Sequence, residues 1–451
     1  MRQEEIVVGH IRYLADRKTQ LKVMKQIIDD TMMLILQRRA LRPDYGWIDL
    51  KLDAISGEDA FESDGIRDKN HVYSWIQGRG LEAIATHLRW YDRIGWPSDD
   101  AKEELISLGR SVSEKLQRQR RSNGGHLYFL ATDRSNPTED AGVFTMSDLF
   151  CSRGLYAFNH DWGTEEERRV SRAYIIDTLQ AIIEKKLVND QIGFHPSQYQ
   201  GRKVKAAGFG TEMLGLGAVT LLMRLERDSN APAIGRRFVE KILSKHVNTD
   251  SRWPSIEEGI IVEMLDAEGN VFFDEEGRVL VDPGHSLEFI GLAAQMVAVF
   301  LENYGKEEVQ YEWMVDVIET LDSLIEPNLK LGFSKTGGIV KRIDAISKAI
   351  PYDTMPWWSL PETLRAIALT EHLKKGSWST FGTEWFERCI NAFVENYRKP
   401  SACPIAVQTI DSSGKPVDVI PATPDLDPGY HTGLALLDCC NVLSKGSVDF
   451  T

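Results

Sequence analysis

The sequence predicts an all-α chain of about twelve helices, folded as helical hairpins that close into a ring. Three observations carry this. Helical periodicity dominates the 451 residues. The helices alternate between widely apolar faces and half-charged ones. Strand-like alternation is confined to the connections, so short β-hairpins are expected in loops that cap one end of the ring.

Segments near 14–38, 72–94 and 98–121 open the series. The next, 145–160, has Ser147 and Asp148 at its beginning, where Asp148 reads as a cap or first-turn residue. Segment 164–186, "TEEERRVSRAYIIDTLQAIIEKK", keeps one charged face and is expected on the outside. Segment 204–227 holds "TEMLGLGAVTLLMRLERD", apolar over a wide arc and so expected inside; 230–246 follows it. Segment 285–304, "LEFIGLAAQMVAVFLENY", is a second inner helix, paired with the half-charged 306–326. The series ends with 356–375, 381–397 and 428–446. Strand alternation appears in "GIIVEMLDAEGNVFFDEEGRVLVDPG", around "AEGN" and "EEGR" turns, and in "YGWIDLKLD" and "CPIAVQTIDSSGKPVDVIPATP". Inner and outer helices recur with a period of roughly 35–75 residues, which is a hairpin array. Unequal hairpins favour a closed ring over an open solenoid. No composition break divides the chain, so residues 1–451 read as a single domain.

A net charge of -14 argues against nucleic acid or an anionic membrane as partner. With 42% hydrophobic and 27% charged residues the chain is of ordinary globular composition. No run reaches about 18 apolar residues, so no membrane span is expected. The charged N-terminus lacks a signal-peptide core, and a cytoplasmic protein is the expectation. Cys151, Cys389, Cys403, Cys439 and Cys440 form no CxxC pair and show no zinc spacing, and the adjacent Cys439 and Cys440, in an apolar helical run, are expected as buried thiols. There is no phosphate-binding loop, dinucleotide fingerprint or HExxH, and no metal or cofactor is expected.

Two echoes stand out: "DPGHSLEF" from Asp282 and "DPGYHTGL" from Asp427. Asp caps a helix and Pro suits its first turn, which leaves His285 and His431 to be explained. A helix N-terminus disfavours an imidazolium, so both are expected neutral and able to accept a proton. Glu288 follows His285 at i+3 on the same face. A pair of ordinary first-turn histidines bonded to backbone is the bland alternative. "MPWWSLPETLRAIAL" brings Trp357, Trp358 and Glu362 to a helix start. Indoles stack on the C–H faces of sugars, although tryptophan pairs also serve as core. "HVYSWIQGRG" places Arg79 in an apolar helix with Trp75 and Gln77, where the guanidinium needs an anionic or polar partner, a salt bridge to a neighbouring helix being one. His195 and His160 could reach a cavity.

These segments resemble the N-acylglucosamine 2-epimerase superfamily. "VEMLDAEGNVFFDEEGRVLVDPGHSLEF" is similar to its β-hairpin and Pro-Gly-His-x-Leu-Glu helix start, "WIQGR" to its Trp-Leu-Gln-Gly-Arg segment, "PWWSLPETLRA" to its Trp-Trp-x-x-x-Glu segment, and "YHTGLALLD" to its C-terminal histidine segment. The resemblance runs from about Tyr45 to Asp438. It implies an (α/α)6 barrel, a homodimer and a small-molecule carbohydrate substrate. The implied reaction inverts C2 of an open-chain aldose or N-acyl aminosugar through a cis-enediolate. His285 and His431 would be the acid/base pair, and Arg79 would stabilise the enediolate oxygen. Glu288 would orient His285 or bond the substrate. Trp357, Trp358 and Glu362, with Trp75 and Gln77, would shape the sugar site. Leu434 stands where the family often has an arginine, "TEMLGLGAV" lacks a histidine that cellobiose 2-epimerases carry, and the Gly-Gly segment appears only as "KTGGIVKRID". These departures bear on which sugar is taken. The competing readings are an aldose–ketose isomerase, a glycosidase on the same ring of helices using two facing carboxylates, and a non-catalytic binding protein.

Overall fold

The structure, a computed structural model, describes residues 7–8, 11–12, 16–60, 66–98, 100–131, 142–194, 207–398 and 403–444. His10 and His195 lie outside them. The α-helices are α1 (Arg17–Leu41), α2 (Ser74–Ile94), α3 (Ala101–Ser122), α4 (Met146–Trp162), α5 (Glu165–Ile183), α6 (Gly210–Glu226), α7 (Ala231–His246), α8 (Pro283–Asn303), α9 (Tyr311–Gly332), α10 (Ser359–Leu373), α11 (Thr380–Ala392) and α12 (Ala435–Ser444). Each even-numbered helix packs on the next, and the turn before α12 returns to α2, so the six close an inner ring. The odd-numbered helices form the outer layer. This is an (α/α)6 barrel.

Burial follows the sequence pattern. α8 is apolar on nearly every side, and 78% of its most apolar stretch is buried inside the barrel. It is long and apolar enough to cross a membrane, but here those side chains pack against the inner helices α6 and α10 and against α9. α5 keeps Glu165, Glu166 and Glu167 in its first turn and buries one stripe, including Tyr174, Ile175 and Leu179. The tightest seam joins α2 to α4. A Cβ on Gly154 would lie 2.2 Å from the Gly78 carbonyl oxygen, so these backbones touch because neither position carries a side chain.

Three helices depart from the expected outlines. α9 starts at Tyr311 rather than 306 and continues through Pro327 to Gly332. Asn328 holds the segment beyond the proline, its Nδ2 donating to Leu324 O (2.8 Å) and Gly259 O (2.9 Å). α11 gives way to a π-helical turn at Phe393–Tyr397, and a second π turn at Tyr430–Leu434 precedes α12.

The strands are two residues long and, apart from one local pair near the N-terminus, join separate loops instead of forming the expected hairpins. β1 (Val7–Val8) pairs with β2 (Ile11–Arg12), and β3 (Ala207–Gly208) with β4 (Met264–Leu265). β5 (Leu280–Val281) pairs with β6 (Ile343–Asp344), and β7 (Met355–Pro356) with β8 (Thr409–Ile410). All are antiparallel. The "AEGN" turn leaves a single bridge, Leu265 to Val271. Isolated two-stranded hairpins are marginal in water, whereas these ribbons tie together neighbouring loops. β3, β5 and β7 run directly into α6, α8 and α10, so they fix where three inner helices begin.

Candidate active site

Both Asp-Pro-Gly echoes are helix caps. Asp282 Oδ1 accepts from His285 N (3.2 Å). Asp427 does more: Oδ1 accepts from Tyr430 N (3.0 Å) and His431 N (3.3 Å), and Oδ2 from Thr432 N (2.9 Å). Gly429 sits at φ +84°, a left-handed conformation that favours glycine, and the chain winds onward as the π turn. π turns often occur at functional sites, and this one carries His431.

The two imidazoles share a wall. Trp358 stacks on His285, with centroids 5.1 Å apart and planes at 26°, and meets His431 at 5.6 Å and 35°. Trp357 stands edge-on to His431 at 6.2 Å, its indole N–H donating to Thr432 Oγ1 (3.2 Å).

Each imidazole also has its own carboxylate. His285 Nδ1 lies 2.9 Å from Glu263 Oε1 and 3.3 Å from Asp282 Oδ2. Thus the partner of His285 is Glu263, on the loop before β4, and not Glu288. The far oxygen of Glu263 is paired with Arg342, and Asp282 Oδ2 takes Lys341 Nζ (2.5 Å). Burial raises the Glu263 pKa, but Arg342 and then His285 more than reverse this and hold it well below the ordinary value. An ionised Glu263 only accepts, so His285 holds a proton on Nδ1, and Nε2 is the nitrogen left to exchange one with a substrate.

His431 is held differently. Its Nδ1 lies 3.0 Å from Glu362 Oε1 and 3.9 Å from Glu288 Oε1. Glu362 Oε2 accepts from Arg365 Nη1 (2.6 Å). Burial, opposed by Arg365 and reinforced by Asp438 and Asp427, pushes Glu362 up to about 7. Burial raises Glu288 as well, with Glu362 adding to it. Burial and then Arg79 depress His431 to about 4. Near neutral pH a proton added to this pair resides on the carboxyl, and the imidazole stays neutral.

Arg79 enters from α2 without a carboxylate partner among the described residues. Its guanidinium carbon stands 4.0 Å from the Phe150 ring centre, 5.1 Å from Trp75 and 5.2 Å from Tyr430. Its Nε is buried with no hydrogen-bond partner. Burial lowers its pKa, while Tyr430 and Glu288 act the other way. Two of the candidates stand behind it. Trp75 Nε1 donates to Ser147 Oγ (2.9 Å), and both ends of the Gln77 amide bond to the Ile48 backbone (2.9 Å each). They hold α2 in place, with both the oxygen and the nitrogen of the Gln77 amide bonded to backbone.

Other candidates fall away from the axis. Asp148 closes a reciprocal capping box with Thr145 at the start of α4. His160 lies at the opposite end of α4, beside Asp161. Two triads, Glu263–Asp282–His285 and Glu288–Glu362–His431, each bring three donor atoms within 4.8 Å, a spacing a metal ion could bridge. In both, basic side chains already face the carboxylates: Arg342 and Lys341 in the first, Arg365 in the second.

Sequence reasoning missed Glu263, Lys341, Arg342 and Arg365. The adjacent Lys341 and Arg342 were the available signal, because two consecutive cations in a short connection need carboxylates nearby once buried.

No protein-family model matches the chain, and no curated protein matches it. Solved structures do. A sugar epimerase from a ruminal bacterium superposes with TM-score 0.63 at 14% identity, covering 95% of this chain and 100% of the other. A D-mannose isomerase gives 0.63 at 12% identity, covering 94% and 98%. Cellobiose 2-epimerase from Bacillus thermoamylovorans gives 0.60 at 14%, covering 93% and 99%. An α-1,6-mannanase from Salegentibacter gives 0.51 at 12%, covering 94% and 99%. These include the kinds of enzyme the sequence segments resemble, and the chain has the fold of carbohydrate epimerases and isomerases.

Proposed function

We propose that this chain is a sugar 2-epimerase acting on an open-chain aldose or N-acyl aminosugar. The observation that carries this is the pair of imidazoles on different inner helices, both against Trp358, each backed by its own carboxylate. Inverting a carbon requires a proton to leave one face and another to arrive on the opposite face, so two groups are needed. In one direction His285 Nε2 takes the C2 proton. The C–H electron pair moves into the C1–C2 bond, and charge collects on the C1 oxygen. Arg79, a buried cation with an unused donor, supplies the stabilisation for that oxyanion. His431 then delivers a proton to the other face of C2 from Nε2, while Nδ1 takes one from Glu362. The reverse reaction exchanges the roles. General acid–base groups of this kind contribute about 10²–10⁴-fold each. The indoles of Trp357 and Trp358 supply flat surfaces for sugar C–H faces.

An aldose–ketose isomerase is the nearest alternative, and a D-mannose isomerase shares the fold. It uses the same enediolate but returns the proton to C1. A glycosidase is less well supported, because Glu288 and Glu362 converge on His431 and Glu362 is tied to Arg365. Incubation with glucose, mannose, N-acetylglucosamine, N-acetylmannosamine and cellobiose, followed by product identification, decides among these. The reading predicts a C2 epimer. A ketose product would shift it to an isomerase, and released monosaccharide from cellobiose would contradict it.

A further inference from the structure

The two histidines differ in access to solvent. The His285 side chain is 27% exposed, and that of His431 is 8%. After each inversion one histidine holds an extra proton and the other lacks one, and both must be reset. His285 can exchange at the mouth of the site. His431 is walled in by Trp357, Trp358 and Tyr430.

Beneath it, on the barrel axis, is a narrow cavity of about 20 Å³, lined at the upper side by Glu288 and Glu362, the two carboxyls nearest His431 Nδ1. One helical turn beyond Glu362, Arg365 Nε lies 3.0 Å from Asp438 Oδ2, which also accepts from Gln295 Nε2 (2.6 Å). Across the axis, Arg153 Nη2 donates to Glu82 Oε1 (2.7 Å). Two atoms of these cavity-lining side chains, Glu82 Oε2 and Arg153 Nε, are buried without a hydrogen-bond partner, although each residue is more than nine-tenths buried. Buried charged groups with unused donors and acceptors require water or another small polar partner, and a water needs about 10–15 Å³ of such space. Thr86 and Arg224, both partly exposed, line the same cavity.

We propose that this axial cavity holds ordered water and, through Asp438, is the route by which the His431–Glu362 pair exchanges protons with solvent. This rests on the two-histidine reading. When His431 is the base, the C2–H bond breaks, its electron pair enters the C1–C2 bond, and the proton binds Nε2. The Nδ1 proton passes to Glu362, and from there through cavity water to Asp438 and out toward Thr86 and Arg224. When His431 is the acid, the same path runs inward. Glu362 near 7 can hold or release a proton at neutral pH, as such a path requires.

The test uses both epimers of a turned-over sugar, each labelled with deuterium at C2, in ordinary water. Wild type should lose label from both. In Asp438→Asn, the epimer deprotonated by His431 should retain several-fold more deuterium, whereas loss from its partner, deprotonated by His285, stays at the wild-type level. A merely structural defect would slow both alike, so equal slowing, or no change in either, overturns the proposal. If Asp438→Asn does not fold, Thr86→Leu, which narrows the cavity while sparing the Arg365–Asp438 pair, should give the same one-sided retention, and symmetric behaviour overturns it. If wild type exchanges label from neither epimer, the two-histidine reading itself fails.

Discussion

Replacing Glu362 with glutamine should make the protein more tolerant of alkaline pH while impairing its chemistry. The carboxyl is fully enclosed and is displaced from its ordinary value of 4.5 to about 7. The folded protein therefore binds a proton more tightly than the unfolded chain. Stability from this group is complete below about pH 4.5 and is lost as pH rises through about 7. A displacement of about 2.5 pH units, at about 1.4 kcal/mol each, corresponds to a loss of about 3 kcal/mol. Glutamine is neutral throughout and escapes it. Urea denaturation of both proteins between pH 4 and about 8.5 isolates this effect in the difference between them, since groups common to both largely cancel. The difference should be constant below pH 4.5, shift by about 3 kcal/mol in favour of the variant across pH 4.5 to 7, and then level off. A difference that is flat with pH, or that moves toward wild type, refutes a proton-holding Glu362.

Three further changes test other parts of the account. Arg79→Met removes a buried cation that makes no ion pair among the described residues, so stability should hold or rise while kcat falls about 10²–10³-fold, the cost of losing an oxyanion donor; denaturation and steady-state kinetics together check it. Glu263→Gln should lower kcat with little change in KM, because His285 loses its orienting carboxylate. It should also destabilise the fold by about 3–5 kcal/mol, because it removes one charge of the buried Glu263–Arg342 pair. Gly154→Ala would force α2 and α4 apart and should cost about 1–3 kcal/mol in chemical denaturation, with no requirement that the site chemistry change.

Most of the helical framework was legible because an inner helix must be apolar over a wide arc and an outer one over a stripe, and that difference is written locally. Boundaries failed where tertiary partners override local preference. α9 runs past Pro327 because Asn328 ties the chain to Leu324 and Gly259. The start of the last helix is wound as a π turn under the three backbone hydrogen bonds that Asp427 accepts. Strand partners were not legible, since alternation says that a segment is extended and not what it pairs with. Leu280–Val281 finds Ile343–Asp344 more than sixty residues away. The site divides in the same way. His285, His431, Arg79 and the Trp357–Trp358 pair announced themselves by unusual residues at helix starts or in apolar helices. Glu263 did not, because it sits in a loop and acquires its role only when Arg342 folds against one oxygen and His285 against the other.

The central claim is that two imidazoles work on opposite faces of one sugar carbon. It is tested most directly by following the C2 proton by NMR in D₂O, with the aldose panel and with wild type, His285→Asn and His431→Asn. The account predicts deuterium at C2 of both substrate and epimer for wild type, and no epimer from either variant while both remain folded. Epimer formation that persists in His431→Asn, or wild type that exchanges C2 of none of these sugars, would contradict it.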